Sequence, residues 1–281
     1  MKLHVTEKTD LLDFLVDKLH VSRTRVRKWI KYGSINVDGQ IADRAEITVF
    51  PGQTVETSRP SPLAPFPVLY EDRYLIVGEK PAGLLSIATE RETSETFYRR
   101  VNEYVRLRSH NKERIFIVHR LDREVSGITL FAKSEAIQAS LQRGWDKTEK
   151  LYWALVEGRP PKKRGTIKTW LTENRIHKVH STDETQHAKY AVTHYRTLKE
   201  YQHHTVLEIR LETGRKHQIR VHLSELGCPI VGDRKYGASA NPFRRLALHA
   251  FSLSFTHPIS GERIRLESKI PKVFSSSSVT S

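Results

Sequence analysis

Four prolines crowd one short stretch, at Pro60, Pro62, Pro65 and Pro67. Proline locks φ and removes an amide donor, so such a stretch is stiff and cannot enter the middle of a sheet. Residues 58–67 are therefore predicted to be a linker, and the chain must build a core on each side of it. Three further pieces follow from this cut: a small module at 1–57, a main domain at 68–274, and a serine-rich tail at 275–281 expected to be disordered.

In the first piece Leu11, Leu15 and Leu19 recur every fourth residue, with Leu12 and Val16 beside them, which marks one helical face. Ser22 can cap a second helix carrying Val26, Trp29 and Ile30 inward, and Gly33 can stop it. Asp38-Gly39 between two apolar-containing runs predicts a hairpin, and Val49–Val55 adds a Pro51-Gly52 turn and a strand. Arg23, Arg25, Arg27, Lys28 and Lys31 stand on the second helix with no acid among them. Such a ridge either tracks phosphates or is a solvated helix face.

The main domain alternates short apolar strands with a few helices and lacks regular βαβ spacing, which predicts an α+β fold. Ile115–Val118, Ile128–Phe131, Leu151–Val156 and Val206–Leu211 are strand-like, while Phe97, Val101 and Val105 mark a helix and Ser134 can cap another. Across 281 residues the formal charge is +15, which predicts attraction to a polyanion. The single cysteine, Cys228, excludes an intramolecular disulfide and any thiolate-rich metal site. The first residues lack the apolar core of a signal peptide, and no apolar run is long enough to span a bilayer. A reducing, aqueous compartment, the cytoplasm, is the expectation, with no membrane partner.

The chemistry concentrates in His119-Arg120-Leu121-Asp122 followed by Ser126-Gly127. One carboxylate stands at a turn between two apolar strands. Asp122 is either a turn former, a cap, an ion-pair partner of Arg120 or Arg123, or a nucleophile or base held by the scaffold. The last role needs a cation and an aromatic wall. In Gly214–Leu223, Arg220 lies beside the helical face of Ile219, Leu223 and Leu226, so a partly buried guanidinium is available, and Arg215 and Lys216 precede it. In Lys150–Gly158, Tyr152 and Ala154 share one strand face and Trp153 takes the other. Tyr152 is either a stacking residue or an ordinary core tyrosine.

Taken in order, these segments resemble the RluA-type pseudouridine synthases. The matching text is Glu79-Lys80-Pro81-Ala82-Gly83-Leu84; His119-Arg120-Leu121-Asp122 with Ser126-Gly127; Lys150, Tyr152 and Gly158; Thr213–His222 with Gly227, Pro229–Asp233 and Tyr236-Gly237; and Leu246–Ala250 with His257-Pro258. Most of residues 9–56 resembles the αL RNA-binding module of a small-subunit ribosomal protein. Val125 replaces a common threonine, Glu79 a common asparagine, and Cys228 a frequent histidine. The resemblance implies a pseudouridine-synthase-like catalytic domain with a large mixed, mostly antiparallel sheet flanked by helices, plus a small N-terminal α/β RNA-binding module. It implies an isomerase that turns uridine in RNA into pseudouridine, with no cofactor and no metal. Asp122 would be the catalytic carboxylate, Arg220 its charged partner, Tyr152 a stacking wall and Arg120 the group filling the space of a flipped base. Arg215, Lys216 and the ridge would hold RNA, ribosomal RNA in preference to transfer RNA, with the protein acting as a monomer without an obligate protein partner. The rivals are a catalytically silent RNA-binding or ribosome-assembly protein on the same fold, and a hydrolase cleaving a glycosidic bond. The hydrolase needs a second acid, which the sequence does not offer convincingly.

Overall fold

Helix α1 (Leu11–Leu19) forms on the leucine repeat, and α2 (Arg23–Lys31) follows a left-handed His20. Ser22 Oγ accepts from the Arg25 amide at 3.3 Å, as a cap should. Leu11, Leu12, Phe14, Leu15, Val26 and Ile30 are buried together, with Trp29 packed on their edge. The strands are β1 (Lys2–His4), β2 (Thr9–Asp10), β3 (Ile35–Val37), β4 (Gln40–Ile41), β5 (Thr48–Val49) and β6 (Thr54–Thr57). They pair in the orders β1-β6-β3-β4 and β2-β5. Asp38 and Gly39 both take positive φ, 50° and 83°, which is the two-residue turn that suits strand twist.

The computed structural model describes residues 1–31, 34–42, 44–57, 64, 66–88, 96–109, 111–174 and 178–275, the side chains of Lys28 and Lys31 excepted. Gly33, Pro60, Pro62, Pro65 and nearly all of the tail lie outside the described residues. The chain divides into two compact units, Met1–Pro67 with Arg100–Ile115, and Val68–Arg99 with Phe116–Ser281. From sequence, 100–115 belonged with the main domain.

The second unit is built on one large sheet. Its strands are β7 (Val68–Glu71), β8 (Leu75–Lys80), β9 (Phe116–Ile117), β10 (Ser126–Ala132), β11 (Glu149–Glu157), β12 (Arg164–Glu173), β13 (Val179–Thr182), β14 (Lys189–Glu200), β15 (His204–Leu211), β16 (Leu248–Thr256) and β17 (Arg263–Glu267). They run β13-β12-β14-β15-β11-β16-β10-β8-β7, with β17 paired to β16 and β9 to β10. Among the described residues only β10 and β16 pair in parallel, so the sheet is mixed and mostly antiparallel.

Helix α3 (Phe97–Arg108) spans the division between the units, and α4 (Glu135–Arg143) starts at Ser134, whose side chain accepts from Ile137 N. Helix α5 (Gln218–Glu225) lies on one sheet face, where His222 bonds Thr193 and Thr169 at 2.9 Å each. Leu155, Leu207, Ile209, Leu223, Ile230 and Leu248 form the central core. Strand β9 keeps two of the four residues expected at Ile115–Val118; Val118 turns instead into the cluster with Leu75, Ile128 and Leu130. No described helix is long and apolar enough to cross a membrane.

Candidate active site

The Asp122 loop is held from three sides. Ser86 Oγ donates to Leu121 O at 2.6 Å and accepts from Leu121 N at 3.1 Å. Lys80, fully buried, donates to Arg123 O at 3.1 Å and to the carbonyls of Pro81 and Leu84, so one ammonium ties two turns together. Downstream, Ser126 Oγ bonds His249 Nδ1 at 2.8 Å and accepts from Arg245 at 2.7 Å, and His249 Nε2 meets Ser268 Oγ at 2.8 Å. Gly127 has φ 124°, and a Cβ there would stand 2.3 Å from Ala250 O. The close parallel approach of β10 to β16 therefore requires glycine.

Strand alternation aims Tyr152 at this loop from β11, at a register shift between Leu151 and Tyr152. Arg220 comes from α5. Asp122, Tyr152 and Arg220 line one pocket of about 460 Å³, with Arg120, Arg215 and His217 around it. A wider cleft continues over Ser86, Trp145, Lys150, Lys216 and Lys235.

Arg220 meets three carboxylates, Asp122 among them. Its Nε and NH2 donate to Asp233 at 2.7 and 2.8 Å, both groups buried, and its guanidinium stacks on Tyr236 at 5.0 Å. Asp122 and Glu124 each stand 3.6 Å from Arg220 NH1. Arg220 is thus fixed by Asp233 and presents its remaining edge to Asp122. Glu124 thus shares the Arg220 NH1 edge with Asp122. Asp233, Glu124, Tyr236 and His217 were missed. Gly232-Asp233 stands in the motif text, and nothing in its spacing announced that it would meet Arg220.

His217 adopts φ 53°, places Nδ1 2.7 Å from Tyr236 Oη, and brings Nε2 to 3.8 Å from Asp122. Burial, then the neighbouring Arg220, Lys235 and Lys216, lower its pKa to about 4, so the ring is neutral at pH 7. Burial pushes the Asp122 carboxyl above its ordinary range, against the pull of Arg220, Lys216 and Lys80. Burial and the Asp122 charge raise the Tyr152 phenol, so it stays protonated. Burial works against the charge on Arg220, and Asp233, then Asp122 and Glu124, outweigh it. Lys80 is lowered to about 8 by burial.

The RNA-contact candidates are placed unevenly. Arg120 and Arg215 are exposed at the pocket, while Lys216 is paired with Glu173. In the first unit Arg23 pairs with Asp13 of α1, Arg25 lies 5.3 Å from the Trp29 ring centroid, and Arg27 is exposed. The side chains of Lys28 and Lys31 lie outside the described residues. Among the described residues no three His, Cys, Asp or Glu side chains are grouped to hold a metal ion.

The family profile described as RNA pseudouridylate synthase matches residues 74–225, which include Asp122, Tyr152 and Arg220. The chain belongs to this family. It is 34% identical over 264 residues to an uncharacterized RNA pseudouridine synthase of Bacillus subtilis, YlyB, covering 89% of this chain and 86% of that one. It is 35% identical over 284 residues to the ribosomal large subunit pseudouridine synthase D of Xanthomonas campestris, covering 89% and 82%. The solved structure of human RNA pseudouridylate synthase domain containing 4 superposes with a TM-score of 0.61 at 26% identity, over 74% of this chain and 89% of that one. The synthase is therefore an isomerase acting on RNA, on the α+β fold expected from its sequence.

Proposed function

We propose that the synthase converts uridine to pseudouridine in ribosomal RNA, with Asp122 as the reacting carboxylate. One observation carries the reading: Asp122, Tyr152 and Arg220, from a loop, a strand and a helix, face one pocket. The reaction breaks the bond from the ring nitrogen to ribose, turns the base, and forms a bond from a ring carbon to the same ribose carbon. The carbon loses a proton and the nitrogen gains one, so no redox equivalent is consumed. The target uridine must leave its stack, at a cost of a few kcal/mol. Arg120, exposed at the pocket, offers a planar guanidinium to fill the gap. Arg215 and the α2 ridge supply phosphate contacts. Arg220, pinned by Asp233, keeps a positive charge beside Asp122. Tyr152 keeps its proton, which favours a stacking wall over a resident phenolate base. The ribosomal target rests on the likeness to the Xanthomonas ribosomal large subunit pseudouridine synthase D, and the cytoplasmic placement rests on that target.

The test is incubation of the synthase with ribosomal and transfer RNA, followed by pseudouridine mapping and an assay for free uracil. Pseudouridine in ribosomal RNA without uracil is expected. Free uracil would make the protein a hydrolase, in which Glu124 could serve as the second acid. Modified transfer RNA alone would move the target.

A further inference from the structure

The face of the large sheet turned away from α5 carries side chains set by strand alternation. Register aligns Arg164 with Arg196, Thr166 with His194, Lys168 with Val192 and Trp170 with Tyr190 across β12 and β14. Across β14 and β15 it aligns His194 with Arg210 and Arg196 with Glu208. The intervening residues turn the other way, where Thr169 and Thr193 meet His222.

Arg164, Lys168, Arg196 and Arg210 are exposed on this face. Two carboxylates answer them: Glu208 holds Arg196 in a two-pronged pair, and Glu212 is shared among His194, Arg210 and Lys168. Arg164 has no ion-pair partner among the described residues. Amid these charges stands one aromatic pair, Trp170 and Tyr190, with ring centroids 5.3 Å apart and Tyr190 40% exposed. A large aromatic left in water beside cations is the arrangement that takes a base on its face and phosphates alongside. Tyr190 meets the pocket lining through its backbone, where Arg215 donates Nε to its carbonyl at 3.0 Å, while its ring stands on the face away from α5. Beyond it a groove of about 1070 Å³ runs past Arg164, His194, Arg196 and Arg210.

We infer that this face is a second RNA-contact surface, on which a base of the strand leaving the pocket stacks against Trp170 and Tyr190 while the phosphates beyond it follow Lys168, Arg164 and Arg210. The inference rests on RNA threading the Asp122 pocket, and it adds the path of the flanking strand.

The experiment measures Kd for a large-subunit ribosomal RNA transcript across a salt series, using the full chain. The variants are Arg164→Gln with Lys168→Gln and Arg210→Gln, and separately Trp170→Thr with Tyr190→Thr. The charge variant should bind about 10-fold more weakly with a log–log salt slope shallower by about 2–3. The aromatic variant should bind about 10-fold more weakly with the slope retained. Wild-type Kd and slope in both would overturn the inference. So would a lower melting temperature of the aromatic variant with unchanged Kd, since the pair would then serve only the sheet. Concentration-dependent dimerisation abolished by the aromatic variant, with unchanged Kd, would assign the face to a second copy. Binding without any pseudouridine formation would overturn the Asp122 reading instead, while the Kd comparison still decides the surface.

Discussion

Two arginine–aspartate pairs in this molecule use the same groups to opposite ends. Arg23 pairs with Asp13 on the surface of the first unit, with side chains 59% and 46% exposed. Arg220 pairs with Asp233 in the second unit, with side chains 6% and 1% exposed. Exposed pairs contribute roughly 0–1 kcal/mol and are screened by salt, so a phosphate can displace the carboxylate of the first. Breaking a buried pair costs about 3–5 kcal/mol, because the remaining charge is stranded out of water. The first unit therefore carries exchangeable charge, and the second carries fixed charge. Burial separates the two roles.

The comparison is tested most severely at the acid that the fixed charge serves. Asp122→Asn should lower the single-turnover rate by at least about 10³-fold while RNA affinity stays within a few-fold. Substantial turnover by this variant, read by pseudouridine mapping, would remove Asp122 from the chemistry. Burial holds its carboxyl above the ordinary range, so activity needing the ionised form should fail on acidification at a pH above the ordinary carboxylate value. An acid limb at or below that value would show the carboxyl to be well solvated.

Next in size is the fixing pair. Asp233→Asn should destabilise the second unit by about 3–5 kcal/mol in thermal unfolding, since Arg220 would lose its partner. Asp13→Asn should shift stability by less than about 1 kcal/mol. Equal losses would erase the contrast between the pairs.

A smaller effect lies in the buried histidines. His222 and His249 have pKa values lowered to about 4 by burial. The unfolded chain binds protons from the ordinary value of 6.5 downward, so their contribution is present above that pH and is lost as pH falls towards 4. The melting temperature should decline across that window, and His222→Gln should flatten the decline. An unaltered slope would mean that His222 is not titrating there.

The smallest effect belongs to the exchangeable charge. Arg25→Gln with Arg27→Gln should weaken RNA binding a few-fold and make the salt slope shallower by about 2. An unchanged slope would reduce the ridge to a solvated helix face.

Local rules carried far in the first unit. The leucine spacing, the Ser22 cap and the Asp38-Gly39 turn each depend on residues close in the chain, and each appears where expected. Strands β12 and β14 escaped notice because one face of each is charged and open, leaving no apolar run to mark them. The motif text singled out Asp122, Tyr152 and Arg220, because each residue type sits in its own local pattern. By itself the sequence determined the α+β class, the family and the residues to watch. Only the tertiary structure decided that Asp233 holds Arg220, that Glu124 reaches Arg220 and His217 approaches Asp122, and that Tyr152 keeps its proton. Those outcomes depend on charges far apart in the chain sharing one poorly hydrated space, and distance and burial are not written in residue order.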